Sequence, residues 1–383
     1  MLNITDYCTS GNIWSGISSY VKDHKESYAA DPAVSLSDDD ILKILKSNAK
    51  EVLSPKDYDS FRKAVTSLNK GSVKFLKKEN IYRLFFVLKL ESDTQAHNLL
   101  LNYLHQNELS ARLLDEFILI AALKLKLSWE ETSEIRKTYN DKIAAQPIAP
   151  SVLREGDTAE TYQSVIDETL RSREDLIRFL DDSQNLDFFA KTRNTQYLAL
   201  FDDVELEVLY NADSEQTIRL ITDYGSTEKE TMLEYYHSLF GLHDDSSGSL
   251  LSDDEIASLC TKFDQVFMTY DNFCLLVQRK RPVDISSGTF LLSLFKKLLT
   301  EDSEAENDFY VNFLDYDEFT GVCNDILNYF GFPVLNPAID SFDRLLLDIY
   351  KETLDENPSV TNSCFQKLYL RNIKNYIKQI ANL

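Results

Sequence analysis

The sequence predicts an all-α protein, and three observations carry that prediction. Only 10 Gly and 8 Pro punctuate 383 residues, too few for a sheet protein with many turns. One helix-start device recurs four times along the chain. Behind each start, apolar residues return at three- and four-residue spacing, and no stretch alternates with a period of two. The expected architecture is a multi-helix bundle or irregular helical array with helix-pair pseudo-repeats. Ordinary helix and loop lengths put the count at about fifteen helices.

The device is Leu-Ser-x-x-Asp/Glu. It occurs as Leu36-Ser37 with Asp40, Leu53-Ser54 with Asp57, Leu127-Ser128 with Glu131, and Leu251-Ser252 with Glu255. A Ser at the N-cap accepts from the amide of the third helical residue. An acid at that third position reaches back to the cap amide and meets the positive end of the helix dipole. Pro55 occupies the first helical position, where its missing N–H costs nothing. The faces that follow are Ile41, Leu42, Leu45 and Ala49, then Phe61, Ala64, Val65 and Leu68, then Ile81, Leu84, Phe85 and Leu88. Further on come Leu206, Leu209 and Tyr210; Ile256, Leu259, Phe263, Val266 and Phe267; and Phe290, Leu291, Leu294, Phe295 and Leu298. A last helix spans Phe365 to Ile380, with Leu368, Ile373, Tyr376, Ile377 and Ile380 inward.

A repeat with an offset of 37 relates the segment from Ile81 to the segment from Ile118. Ile81 matches Ile118, Leu84 Ala121, Phe85 Ala122, Leu88 Leu125 and Leu90 Leu127. Each copy is an apolar helix, a Leu-x-Leu corner and a polar amphipathic helix. A partial third copy runs from Phe319 to Leu335, with Gly331 as its expected C-cap and Pro333 beyond.

The stretch 143–161 holds two Pro and a Gly with little periodicity, and the charge balance changes there. It divides the chain into a charge-neutral helical domain, 1–145, and an acidic helical domain, 146–383, with a sub-break near 241–252. Residues 1–150 carry 20 basic and 20 acidic side chains. The other 20 basic and 43 acidic residues follow, so the whole net charge of −23 lies in the second part. Such a field repels phosphate backbones and anionic lipid and keeps the protein solvated.

Cys8, Cys260, Cys274, Cys323 and Cys364 are scattered, odd in number and without a Cys-x-x-Cys. They are expected to be small apolar residues in a reducing compartment. The start of the chain has no basic segment followed by an apolar run, and the longest strongly apolar run is Phe117 to Leu123. A spanning helix needs about 20 such residues. A cytoplasmic protein is the expectation.

Chemistry-bearing motifs are sparse. His243 to Glu255, "HDDSSGSLLSDDE", can be laid on a calcium loop with Gly248 at position six. His243 then falls on the first ligand position and Asp254 on the twelfth, where a first oxygen ligand and a longer Glu belong. A flexible loop entering the fourth capped helix is the plainer expectation. His243-Asp244 is also the doublet of an all-α, metal-dependent phosphohydrolase, which needs an upstream His on a separate helix and a distant Asp; His237 is too close, and His24, His97 and His105 lie far upstream. Glu234-Tyr-Tyr-His237 has the Glu-x-x-His of di-iron bundles without a second copy. Neither a phosphate-binding Gly loop nor a Gly-x-Ser-x-Gly elbow is present, so no cofactor, metal or catalytic residue is expected.

Two basic spots remain. One is Lys70 to Arg83, with Lys74, Lys77, Lys78 and Arg83 interleaved with Phe75 and Tyr82; the other is Arg279-Lys280-Arg281. The corner Leu127-Ser128-Trp129-Glu130-Glu131 is similar to the turn of repressor helix-turn-helix motifs, although the helix behind it is only weakly basic. Lys74, Lys77, Lys78, Arg83, Trp129, Arg279, Lys280 and Arg281 are therefore the candidate contacts to a partner or to nucleic acid.

Residues 79–139 resemble a helical module of uncharacterised proteins from Gram-positive gut bacteria, and 327–350, "LNYFGFPVLNPAIDSFDRLLLDIY", have the same outline. The resemblance implies a bacterial cytoplasmic helical protein and assigns no activity or functional residue. The expected function is non-enzymatic: a helical scaffold or regulator that binds another protein. A DNA-binding regulator is the first alternative, and the metal-dependent phosphohydrolase the second.

Overall fold

A computed structural model describes residues 2–3, 7, 13–28, 35–73, 76–145, 159–201, 243–244, 248–249, 252, 254–255, 258–259, 273, 286–298, 316–338, 340–357 and 362–381. The fold is all-α, with fourteen α-helices among the described residues. Two strands of two residues each, β1 (His243–Asp244) and β2 (Gly248–Ser249), pair antiparallel. The helical faces named above at 206–210 and 263–267, Ile256, and Cys8, Cys260 and Cys274 lie outside the described residues.

The chain divides into two compact units. The first comprises Ser10–Ala145 and Glu155–Phe189. The second comprises Met1–Thr9, Gln146–Arg154 and Ala190–Leu383. By sequence, the first holds 23 basic against 29 acidic residues and the second 17 against 34.

The first unit begins with α1 (Ile13–Asp23), α2 (Asp38–Val52), α3 (Pro55–Asn69) and α4 (Lys78–Val87). Next come α5 (Asp93–Asn98), continued by a π-helical turn at Leu99–Leu104, then α6 (Leu114–Leu125) and α7 (Trp129–Ala144). Helices α8 (Ala159–Glu168) and α9 (Arg173–Asp181) complete it, and α10 (Ser183–Phe201) crosses the division. Residues 155–189, which the division at 145 had assigned to the acidic part, belong to this first unit. The reason is packing. Phe117 of α6 stacks on Phe179 at 5.2 Å and meets Tyr162 at 6.1 Å and Phe189 at 5.1 Å.

All four expected helix starts are present. Ser37 and Ser128 form full reciprocal capping boxes with Asp40 and Glu131. The Ser252 amide donates to Glu255 at 2.7 Å, and the Glu255 amide donates back to Ser252 at 3.3 Å. Ser54 accepts from the Asp57 amide with Pro55 behind it, and the Asp57 carboxylate accepts from the Ser54 hydroxyl at 3.0 Å rather than from the Ser54 amide. Ser92, Ser172 and Asp340 cap further helices. The inward faces of α2, α3 and α4 are the expected ones, with Ile41, Leu45, Phe61, Val65, Leu84 and Phe85 fully buried.

Helix ends share one closure. Gly71, Lys89, Lys126 and Gly331 all take a positive φ, between 54° and 74°. In each case that residue's amide donates three residues back, and the next amide donates five back. Lys89 and Lys126 are 37 residues apart, so the two corners of the repeat have the same local geometry. At Gly331 the expected C-cap is observed. In α1, Gly16 lies so close to the π-helical turn that a Cβ there would stand 1.9 Å from the Tyr103 carbonyl oxygen.

The second unit contains α11 (Ser287–Leu298), α12 (Tyr316–Phe330), α13 (Ser341–Glu356) and α14 (Asn362–Ala381). Phe319 and Tyr350 stack at 3.8 Å, and Tyr369 meets both edge-on. Phe290 stacks on Phe332 at 4.3 Å. Residues near the chain start join this core: the Leu2 amide donates to the Tyr376 hydroxyl at 3.1 Å, and the Tyr7 hydroxyl donates to Asp348 at 2.7 Å. No helix among the described residues is long and apolar enough to cross a membrane.

Candidate functional site

Three of the residues singled out in the sequence, Lys78, Arg83 and Trp129, meet at one place, where α3, α4, α6 and α7 supply a cluster of charges. Trp129 opens α7 behind the Ser128 cap and is only 1% exposed. Its indole N–H donates to Asp57 Oδ2 at 3.0 Å, while Arg83 Nη2 donates to Asp57 Oδ1 at 2.7 Å. The guanidinium of Arg83 lies 5.6 Å from the Trp129 ring centroid. That double use of Asp57 explains why its capping box is only half made.

Arg136, one helical face further along α7, is 9% exposed and forms the centre of the cluster. It donates through both terminal nitrogens to Glu79, at 3.3 and 2.9 Å, and through Nε to Asp115 at 3.1 Å. Its guanidinium also faces the Tyr82 ring at 5.0 Å. Beside it, buried Glu116 accepts from Lys78 at 2.7 Å, from the Tyr82 hydroxyl at 3.1 Å and from the Ser110 amide at 2.6 Å. Burial works against the Arg136 charge, but Asp115 and Glu79 outweigh it and raise its pKa above the ordinary value. Burial would raise Asp57, yet the Trp129 hydrogen bond and the Arg83 charge win and hold it below the usual carboxylate range. Burial, helped by the Glu116 charge, pushes the Tyr82 phenol far up. Every charge in the cluster has a partner, so it fixes the geometry of four helices.

The placement of the predicted contacts follows directly. Lys78, Arg83 and Trp129 are committed to internal partners. Lys77 precedes α4 as its N-cap residue and is exposed. Lys74, Arg279, Lys280 and Arg281 lie outside the described residues, as does His237. His243 and Asp244 form β1, with backbone partners Ser249 and Gly248. Among the described residues, no three His, Cys, Asp or Glu side chains are grouped so as to hold a metal ion.

A second buried charge group in the other unit was not foreseen. Asp340 caps α13, accepting from the amides of Phe342 at 2.8 Å and Asp343 at 3.2 Å. Asp343, 1% exposed, accepts from the Asn336 amide at 2.9 Å through Oδ2. Its Oδ1 is buried against Gly288 of α11, whose backbone favours the charged carboxylate and where a Cβ would come within 3.0 Å. Burial raises both carboxyls, and the Asp340 charge raises Asp343 further. The only signal in the sequence was the ordinary Asp-x-x-Asp of a capped helix.

No family model matches this chain, and neither a curated protein nor a solved structure matches it.

Proposed function

We propose that the protein is a non-enzymatic helical scaffold or regulator that binds a basic segment of another protein. The observation that carries this reading is the internal use of cations. Lys78, Arg83 and Arg136 are paired with Glu116, Asp57, Glu79 and Asp115, so these cations are not offered to a partner, while the chain as a whole carries 63 acidic against 40 basic residues. Large exposed apolar side chains are few among the described residues, Val73 and Val334, so recognition rests on charge more than on an apolar groove. The paired helices joined by like corners at Lys89 and Lys126 support an array as the frame for that surface. The same internal pairing removes three residues, Lys78, Arg83 and Trp129, from the set a DNA-binding reading would use.

The test is a pull-down with the tagged full chain, with and without nuclease, followed by rebinding of the purified captured protein. The expected result is a stoichiometric basic partner, indifferent to nuclease, whose association rate falls as salt rises. Nucleic acid as the retained species, or turnover of a nucleotide or phosphoester that a point substitution abolishes, would overturn the reading.

A further inference from the structure

The most unusual local chemistry in the described residues is a carboxylate pair with no cation. Asp343 sits where three elements meet: its own helix α13, the N-terminus of α11 at Gly288, and the 331–340 loop. The groups that face it are known from each side. From α11 come the Gly288 backbone and Ser287, whose hydroxyl donates to the Pro333 carbonyl at 2.6 Å. From α12 come Cys323, a buried thiol whose pKa is raised by burial and by the Asp343 charge, and Asn324, whose side chain accepts from the Leu335 amide at 2.9 Å. The loop presents the Asn336 amide, and α13 presents Asp340. The next side chain, Arg344, lies over the Tyr7 ring at 5.0 Å. Neither Asp340 nor Asp343 makes an ion pair with a described residue.

We infer that Asp340 and Asp343 form a proton-operated latch, closed when the pair holds a proton and strained open when both carboxylates are charged, that joins α11 and the 331–340 loop to α13. The inference does not rest on the proposed function. Asp343 is buried and Asp340 half-buried, their hydrogen-bond partners among the described residues are backbone amides, and as two like charges they repel one another. One proton on the pair relieves that repulsion. The proton comes from solvent and returns to it on opening, and no other species is consumed. Because the folded-state pKa values are raised, the stabilisation is complete below the unfolded carboxyl value of about 3.9 and is lost as pH rises through the folded values. The latch therefore tightens in acid and loosens toward neutrality and above.

The test is hydrogen exchange by mass spectrometry on the full chain across pH 4.5 to 8, corrected for intrinsic exchange rates. In the wild type, the opening constant of segments 286–298 and 331–346 is expected to rise by up to about tenfold per pH unit over the window in which the closed pair holds one extra proton. Asp343→Asn should flatten that rise. Asp340→Asn keeps a good N-cap and removes the neighbouring charge, so the rise should end at lower pH and be smaller, because Asp343 then ionises without that repulsion. A pH-independent opening constant in the wild type would sink the latch. So would an unchanged slope in Asp343→Asn, or, should that variant not fold, an unchanged profile in Asp340→Asn.

Discussion

The α3–α4–α6–α7 cluster and the α11–α13 junction both bury acids, and they treat them in opposite ways. In the first, Asp57, Glu79, Asp115 and Glu116 each meet a cation. In the second, the hydrogen-bond partners of Asp340 and Asp343 among the described residues are backbone amides. Burial alone therefore does not set the pH response of a carboxylate. The partner decides the sign: Asp57 is lowered, whereas Asp343 is raised.

The largest expected effect tests the paired side. Arg136→Leu leaves Glu79 and Asp115 facing a space without a cation, and breaking a buried pair costs about 3–5 kcal/mol. Urea unfolding measures it, and a loss below about 1 kcal/mol would mean that the cluster merely breaks even against its desolvation. Asp57→Asn comes next, at about 1.5–3 kcal/mol for charge-assisted hydrogen bonds. Asp343→Asn should instead stabilise the chain at pH 7, since it removes a buried charge without a counter-ion. Equal signs for these two substitutions would erase the contrast between the regions.

Acid titration sharpens the contrast without a mutation. The lowered carboxyls of the first unit, Asp38, Asp57, Glu131 and Asp181, contribute stability that is present above their unfolded values of about 3.9–4.3 and is lost as pH falls through the folded ones. Both Trp residues, Trp14 and Trp129, belong to that unit, so indole emission reports its loss alone. Emission should shift to the red below about pH 4, while exchange protection around α13 increases over the descent from neutral pH. The smallest effect concerns the shared corner. Lys89→Gly and Lys126→Gly should each add about 0.5–1 kcal/mol, because Gly accepts positive φ without steric cost, and Gly331→Ala should lose a similar amount. Thermal melts of the three variants read this directly.

Local devices were legible in the sequence and distant partnerships were not. The Ser37, Ser128 and Ser252 boxes close within three residues, so the pattern contains the whole interaction. The inward faces of α2 to α4 follow from spacing alone. Trp129 looked available because nothing near it in sequence accepts its N–H; the acceptor, Asp57, arrives from 72 residues away. Arg83 is neutralised across 26 residues by the same carboxylate. The extent of the first unit was hidden for a similar reason. A linker's composition says that a helix stops, but it does not say that Tyr162 and Phe179 return to Phe117. The unpaired Asp343 was invisible because its peculiarity is an absence in space.

The hydrogen bonds from Leu2 to Tyr376 and from Tyr7 to Asp348 have a consequence for synthesis. They join positions 374 and 341 residues apart, while the 10–145 segment and helices α8 and α9 belong to the other unit. During translation that other unit is complete once residue 189 has emerged. Leu2 and Tyr7 then meet their partners only after Asp348 and Tyr376 have emerged, and contacts of such long sequence separation form slowly.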